Sequence, residues 1–244
     1  MTKPSLSVII PAFNEAARII PTLESVVNYL NNQTLTWEIL VVDDGSTDNT
    51  VPLAKSWSSF DTRIQIRTSP HHGKGWAVRH GMLNARGEIR FMCDADLAMP
   101  IKHLDQFLVQ MFDGYDIVIG SRQIKGAQRF NEPISRHFIG RAFNRLVQLL
   151  AVREFCDTQC GFKCFKGNIA EKIFDLQQIK GFGFDVEILF IAKKLELRVL
   201  EIPVNWYYQK CSKVRPLKDS FAMFYDIIKL RWHDMVNKQY SLHQ

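Results

Sequence analysis

Short runs of β-branched and apolar residues alternate along the chain with segments whose apolar residues recur every three or four positions. Such alternation predicts crossover units, in which parallel strands are joined by helices that cover the sheet. Leu6 to Ile10 is the first predicted strand, and a helix over about Ala16 to Leu30 follows. Trp37 to Val42 is the second; after it Gly45 turns the chain and Asp48 is placed to cap a helix. Ile64 to Thr68 is the third, with a helix to about Ala85 that Gly87 stops. Ile89 to Cys93 and Ile117 to Ile119 complete the series. Beyond them the alternation breaks down into a helix over 134–150, the segment "CDTQCGFKCF", a helix through "FDVEILFIAKKL", a strand "VLEIPVNW" and a last helix from about Asp219 to Trp232.

The polar residues fall where this pattern gives them meaning. "PAFNE", "DDGS", "HHGKG" and "DADL" each follow a predicted strand. In an open parallel sheet the carboxyl ends of the strands form the ligand edge. Asp94 and Asp96 share one face if strand geometry persists, with Ala95 on the other. Two carboxylates that close repel, and a hard divalent cation relieves the repulsion. A turn would also explain them, but four such segments converging on one edge favour the cation.

Charge adds a second picture. The chain carries a net +6, placed unevenly: residues 122–163 hold +5, residues 205–244 hold +4, and the remainder sums to −3. Basic segments behind an acidic first half point to an anionic partner such as a phosphate or an anionic membrane surface. No nucleic-acid module signature accompanies them. A hydrophobic fraction of 46% supplies a full core. Five cysteines do not make a disulfide framework, and a reducing compartment is expected. Cys156, Cys160 and Cys164, spaced by four, are expected to be small buried thiols rather than metal ligands. No secretory leader is expected, and no apolar run approaches the roughly 20 residues that span a bilayer.

The ordered series "SVIIPAFNE", "ILVVDDGSTDNT", "GKGWAVRHGM", "FMCDADL" and "DIVIGSR" resembles the inverting family-two glycosyltransferases. "DTQCGFK", "GFGFDVEIL" and "SKV" narrow the resemblance to the polyprenyl- and dolichyl-phosphate hexosyltransferases, the β-glucosyl branch above the mannosyl one. It covers about residues 5–232. A single D-x-D is a weak signal; the whole series in order is a specific one. The resemblance implies an α/β, Rossmann-like GT-A fold with a mostly parallel central sheet flanked by helices. It implies one domain over 1–244, with a nucleotide-sugar half over about 5–121 and an acceptor or membrane-facing half over about 122–232. The implied reaction moves a hexose, glucose from UDP-glucose foremost, to a polyprenyl or dolichyl phosphate on the cytoplasmic face of a membrane.

The resemblance also assigns residues. Pro11, Ala12, Asn14 and Glu15 line the base and ribose pocket, Asp43 and Asp44 contact base and ribose, and Lys74 and Gly75 sit beside the nucleotide. Asp96 ligates Mg²⁺ or Mn²⁺ on the donor diphosphate, with Asp94 toward the sugar or the metal, and Lys213 closes over the diphosphate. Mannosyl relatives carry a glutamine where this chain has Ala98, so a third side-chain ligand does not follow. Arg122 and Arg136 grip the acceptor phosphate. Asp157 and Asp185 orient its cationic partners, and Glu187 is a candidate base.

Two amphipathic helices bear on membrane contact. One carries His137, Arg141, Asn144, Arg145 and Gln148 on a polar face. The other, the last, sets Asp226, Lys229 and His233 against Phe221, Phe224, Tyr225, Ile228 and Trp232. Taken singly, each is expected to pack on the sheet; with the basic excess, peripheral attachment of the whole protein is expected. Two rivals remain in view: a family-two transferase acting on a saccharide, lipid or protein hydroxyl, and a receiver-like signalling or phosphate-binding module. The second is disfavoured because its acidic pair belongs after the first strand.

Each Lys or Arg near an anionic leaflet contributes about 1 kcal/mol. Salt-sensitive binding to anionic vesicles is therefore expected, with little binding to neutral ones. Sedimentation of Arg141→Ala/Arg145→Ala should show weaker partition at an unchanged melting temperature. Equal partition into neutral and anionic vesicles at all salt concentrations would contradict the electrostatic reading.

Overall fold

The computed structural model describes residues 3–133, 151–209, 216–237 and 240. The predicted helix over 134–150, Arg136 within it, and Lys213 lie outside these residues.

The first half opens with β1 (Leu6–Ala12), α1 (Ile19–Asn31), β2 (Trp37–Asp43), α2 (Thr50–Ser58), β3 (Ile64–Thr68), α3 (Lys74–Asn84) and β4 (Ile89–Met92). A 3-10 turn, Ile101–His103, leads into α4 (Leu104–Phe112), then β5 (Ile117–Ser121) and β6 (Gln128–Phe130). The second half contributes β7 (Lys163–Lys166), α5 (Gly167–Leu176), α6 (Phe184–Lys194), β8 (Val199–Pro203), β9 (Asn205–Tyr207) and α7 (Pro216–Asn237). Seven strands form one sheet in the order β3-β2-β1-β4-β7-β5-β8, and β6 pairs with β9 in a small separate sheet. All pairings in the large sheet are parallel except those of β7, which runs antiparallel to β4 and β5. The expected mostly parallel sheet is present, and the two halves share it.

Strand alternation divides the core into two layers. Val8, Ile39, Val41 and Phe91 face α1 and α4; Ile9, Leu40, Val42 and Met92 face α3, α5 and α6. Both faces are covered, which is why these strands read as nearly continuous apolar runs. Phe91, Phe107 and Phe162 meet edge to face with centroids 4.9 to 6.2 Å apart, joining β4 and α4 to the loop before β7.

Several sequence expectations are corrected. α1 starts at Ile19, three residues late, because Asn14 takes a φ of 53° and the chain turns through Glu15–Arg18 before it can become helical. "VLEIPVNW" is two strands: Pro203, with no N–H for the ladder, ends β8, and Asn205 passes to β6. α4, α5 and β7 have no counterpart in the expected elements. Of the three spaced cysteines, Cys160 and Cys164 are buried but Cys156 is exposed. On α7 the buried stripe is Met223, Ile227 and Leu230, while Phe221, Tyr225, Ile228 and Trp232 are exposed rather than packed on the sheet. Asp226 and Asp234 turn inward, and Lys229 and Arg231 are exposed.

Candidate active site

From β1 the chain moves outward through β2 and β3, then returns to lay β4 on the other side of β1. The order reverses between β1 and β4, and at such a switch point a crevice opens outside the carboxyl ends. Asp94 and Asp96 follow β4 directly into it. β7 adds what a parallel strand could not. Running antiparallel, it brings its N-terminus to this edge, with Lys163 beside Met92 and Ile119. The preceding loop therefore delivers Asp157 and Gly161 from the opposite direction.

Lys74, the first residue of α3, donates to Asp94 at 2.7 Å. The loop before it is built for that aim. Asp44 accepts the backbone N–H groups of His72 and Gly73 at 2.8 Å each, one on each carboxylate oxygen. Gly73 has a φ of 117°, and a Cβ there would meet the Lys180 carbonyl at 2.6 Å. A Cβ on Gly161 would fall 2.1 Å from Asp94 Oδ2, so only glycine lets that carboxylate sit where it does.

Burial pushes the Asp94 carboxyl up, but Lys74 and, farther off, Lys163 and Arg122 outweigh it and hold it below its ordinary value. Asp96 goes the other way, raised by burial and by the Asp94 charge. Its Oδ1 accepts the Ala98 N–H at 3.0 Å. Negative charge is thus unmet at Asp96, and an all-oxygen donor pair with surplus charge suits Mg²⁺ or Mn²⁺. Among the described residues no group of three His, Cys, Asp or Glu is placed to hold a metal ion.

Arg122 closes the cluster. Its Nε and Nη2 bind Asp157 at 2.6 and 2.8 Å, and its backbone N–H reaches the same carboxylate at 3.0 Å. The guanidinium fork expected on an acceptor phosphate is therefore engaged within the protein, and Nη1 is the edge left over. Burial raises the Asp157 carboxyl, yet Arg122 outweighs it and holds it at about 2. Asp185, at the start of α6, accepts from the fully buried Lys163 ammonium.

Several other expected site residues bond within the protein. Asn14 Oδ1 accepts the N–H groups of Thr47 and Asp48, tying the end of β1 to the loop after β2. Glu15 pairs with Arg18 at 2.6 Å, and Arg18 also draws on Asp96. Pro11 and Ala12 are buried in β1. Asp43 Oδ2 accepts from Gly45 and Ser46, but its Oδ1 is buried with no partner, an orphan that marks a place for a ligand donor. Phe13 and His71 stack beside it at 4.3 Å, offering a flat apolar face. Glu187 is corrected most clearly: fully buried, it accepts from the Gln178 and Ile179 amides and the Tyr240 hydroxyl. It fixes the loop that backs Gly73 and Gly75 and has no place as a base. Sequence reasoning missed Gly161, Lys163 and Arg18, of which only "CGFK" carried a signal.

The depressed Asp157 carboxyl stabilises the fold above its unfolded value near 4, and that contribution disappears as pH falls toward 2. Asp157→Asn, which leaves Arg122 without its partner, should lower the unfolding free energy by about 3 kcal/mol at pH 7. The gap from wild type should narrow between pH 4 and pH 2 in urea titrations. A gap that stays constant across that range would contradict the assignment.

Comparison with known proteins fits this arrangement. Residues 7–174 match the model for glycosyl transferase family 2. The chain is 35% identical over 234 residues to a dolichyl-phosphate beta-glucosyltransferase of Trichomonas vaginalis, covering 91% of this chain and 69% of that one. It is 35% identical over 241 residues to the Dictyostelium discoideum protein of that name and 31% over 242 to the Homo sapiens one, covering 93% and 74% in both cases. In fold it is similar to a mannosyl-3-phosphoglycerate synthase from Rubrobacter xylanophilus, with a TM-score of 0.67, 17% identity, and coverage of 99% of this chain and 77% of the other. It is also similar to a glucosyl-3-phosphoglycerate synthase from Mycobacterium tuberculosis in complex with UDP, with a TM-score of 0.63, 20% identity, and coverage of 93% and 78%. The same synthase is known with Mn²⁺ and UDP-glucose. A switch-point crevice with its D-x-D at the end of β4, matched across most of the chain by proteins of one kind, settles the affiliation: this protein belongs to glycosyl transferase family 2.

Proposed function

We propose that this enzyme transfers glucose from UDP-glucose to a dolichyl or polyprenyl phosphate with inversion at the anomeric carbon. The observation that carries the choice of acceptor is that, apart from Asp96 with its place on the metal, the carboxylates of the cluster are already engaged. Asp94, Asp157 and Asp185 are each bonded to a cation, and Glu187 is used in the fold. Asp94 and Asp157, held ionised by Lys74 and Arg122, are poor proton acceptors, and Asp185 and Glu187, raised by burial, are enclosed by their own partners, whereas a hydroxyl acceptor needs a base worth about 10²–10⁴ in rate. A phosphate monoester, with a second pKa of about 6, arrives already anionic at neutral pH. This favours the lipid phosphate over a saccharide or protein hydroxyl.

The phosphate oxygen attacks the anomeric carbon on the face opposite the nucleotide. The new C–O bond forms as the bond to the diphosphate breaks, and the electron pair leaves with UDP. The donor's α linkage becomes β. Asp96, with Asp94, is the pair that would hold a divalent cation, which supplies charge neutralisation on the leaving diphosphate. Lys74 lies beside the same phosphates, and Arg122 Nη1 faces the acceptor. Asp43 Oδ1 and the Phe13–His71 face receive the base.

The acceptor lies in a membrane, and we place the enzyme peripherally on an anionic cytoplasmic leaflet. Among the described residues no helix is long and apolar enough to cross a bilayer. The exposed apolar stripe of α7, flanked by Lys229 and Arg231, supports contact with such a surface.

NMR of the product from UDP-glucose should give a β-linked glucosyl phosphate. Turnover with a short polyprenyl phosphate should exceed that with the free alcohol by about 10²-fold or more. An α-linked product, or equal activity on the alcohol, would overturn the mechanism.

A further inference from the structure

Lys163 is a fully buried lysine that the reaction above leaves without a task. Its place follows from the strand pattern. In β7, Lys163 and Phe165 point to one layer and Cys164 to the other, so the lysine faces α6, where Asp185 opens the helix. Its ammonium donates to the Asp185 carboxylate and, at 2.7 Å, to the Cys160 carbonyl. Stability does not explain such a pair, because hydrocarbon of similar volume usually does as well in a core.

The geometry around it supplies another reason. Lys74 lies within electrostatic reach of three carboxylates: it is bonded to Asp94 and feels the charges of Asp185 and Asp96. Only the bond to Asp94 points Lys74 into the crevice. A buried Asp185 lacking its own cation would compete for Lys74 and draw it inward, because an uncompensated buried charge is strongly disfavoured.

We propose that Lys163 is a positioning residue of the donor site: by neutralising Asp185 from behind, it leaves Lys74 on Asp94 and free to meet the donor diphosphate. This rests on the reading of Lys74 as a diphosphate contact, and the test separates the two. The readout is UDP affinity by calorimetry in excess Mn²⁺, which involves no acceptor. Lys74→Met should weaken UDP binding about tenfold or more. If it binds like wild type, the reading of Lys74 fails first.

Given that loss, Lys163→Met should weaken UDP binding by a similar factor, and Lys163→Arg should stay within about threefold of wild type. The double variant Lys163→Met/Asp185→Asn removes the competing charge together with its partner. It should recover UDP affinity to within about threefold of wild type, whatever happens to acceptor turnover. Asp185→Asn alone should bind UDP as wild type does. The proposal would be overturned by UDP affinity unchanged in Lys163→Met, or by a double variant that melts like wild type yet binds UDP as poorly as the single one. Should Lys163→Met fail to fold, Asp185→Asn still decides, since UDP binding weakened tenfold there would mean that Asp185 holds Lys74 directly.

Discussion

Two carboxylates one residue apart, at the end of a buried strand, repel each other strongly enough to govern what surrounds them. Asp94 and Asp96 are partly buried at the crevice, and the Asp94 charge helps to raise Asp96. The protein answers on one side only. Lys74 is bonded to Asp94, Lys163 and Arg122 stand behind it, and Gly161 gives up its side chain to make room. Asp96 is left with one backbone amide and the more distant fields of Lys74 and Arg18. The imbalance makes Asp94 a fixed element of the scaffold and Asp96 the group that gains most from an arriving cation.

That imbalance depends on topology as much as on sequence. Parallel strands deliver only their carboxyl ends to the ligand edge, and here those ends carry mainly acids. An antiparallel β7 inserted between β4 and β5 reverses the direction of delivery and brings Lys163 to the same edge, with Asp157 meeting Arg122 in the loop before it. Removing one partner of such a buried pair leaves a charge that costs about 3–5 kcal/mol. The loop of residues 177–183, bolted down by Glu187, then backs the start of α3 so that Lys74 points into the crevice.

Much of this was legible in the amino-acid sequence. The strands of the first half, the parallel sheet and the acidic pair at its edge follow from apolar periodicity and from polar clusters after each strand. β7 was not legible, because four residues with two lysines among them do not look like a buried strand. Lys163 was hidden with it: a lysine is ordinarily solvated, and only the register against Met92 and Ile119 shows that it is enclosed. Glu187 misled for the opposite reason. A glutamate beside Asp185 invites a catalytic role, yet side chains two apart on a helix diverge, and this one turns to the Gln178 and Ile179 amides. The apolar residues of α7 predicted a packed face, but the stripe made by Met223, Ile227 and Leu230 already met that need.

The central claim is that Asp96 carries negative charge which only a metal–diphosphate ligand satisfies. Calorimetric titration of UDP with and without Mn²⁺, in wild type and in Asp96→Asn, tests it most directly. The account predicts that Mn²⁺ strengthens UDP binding in wild type by about tenfold or more and that Asp96→Asn abolishes the gain. Equal UDP affinity with and without the metal in wild type would contradict it.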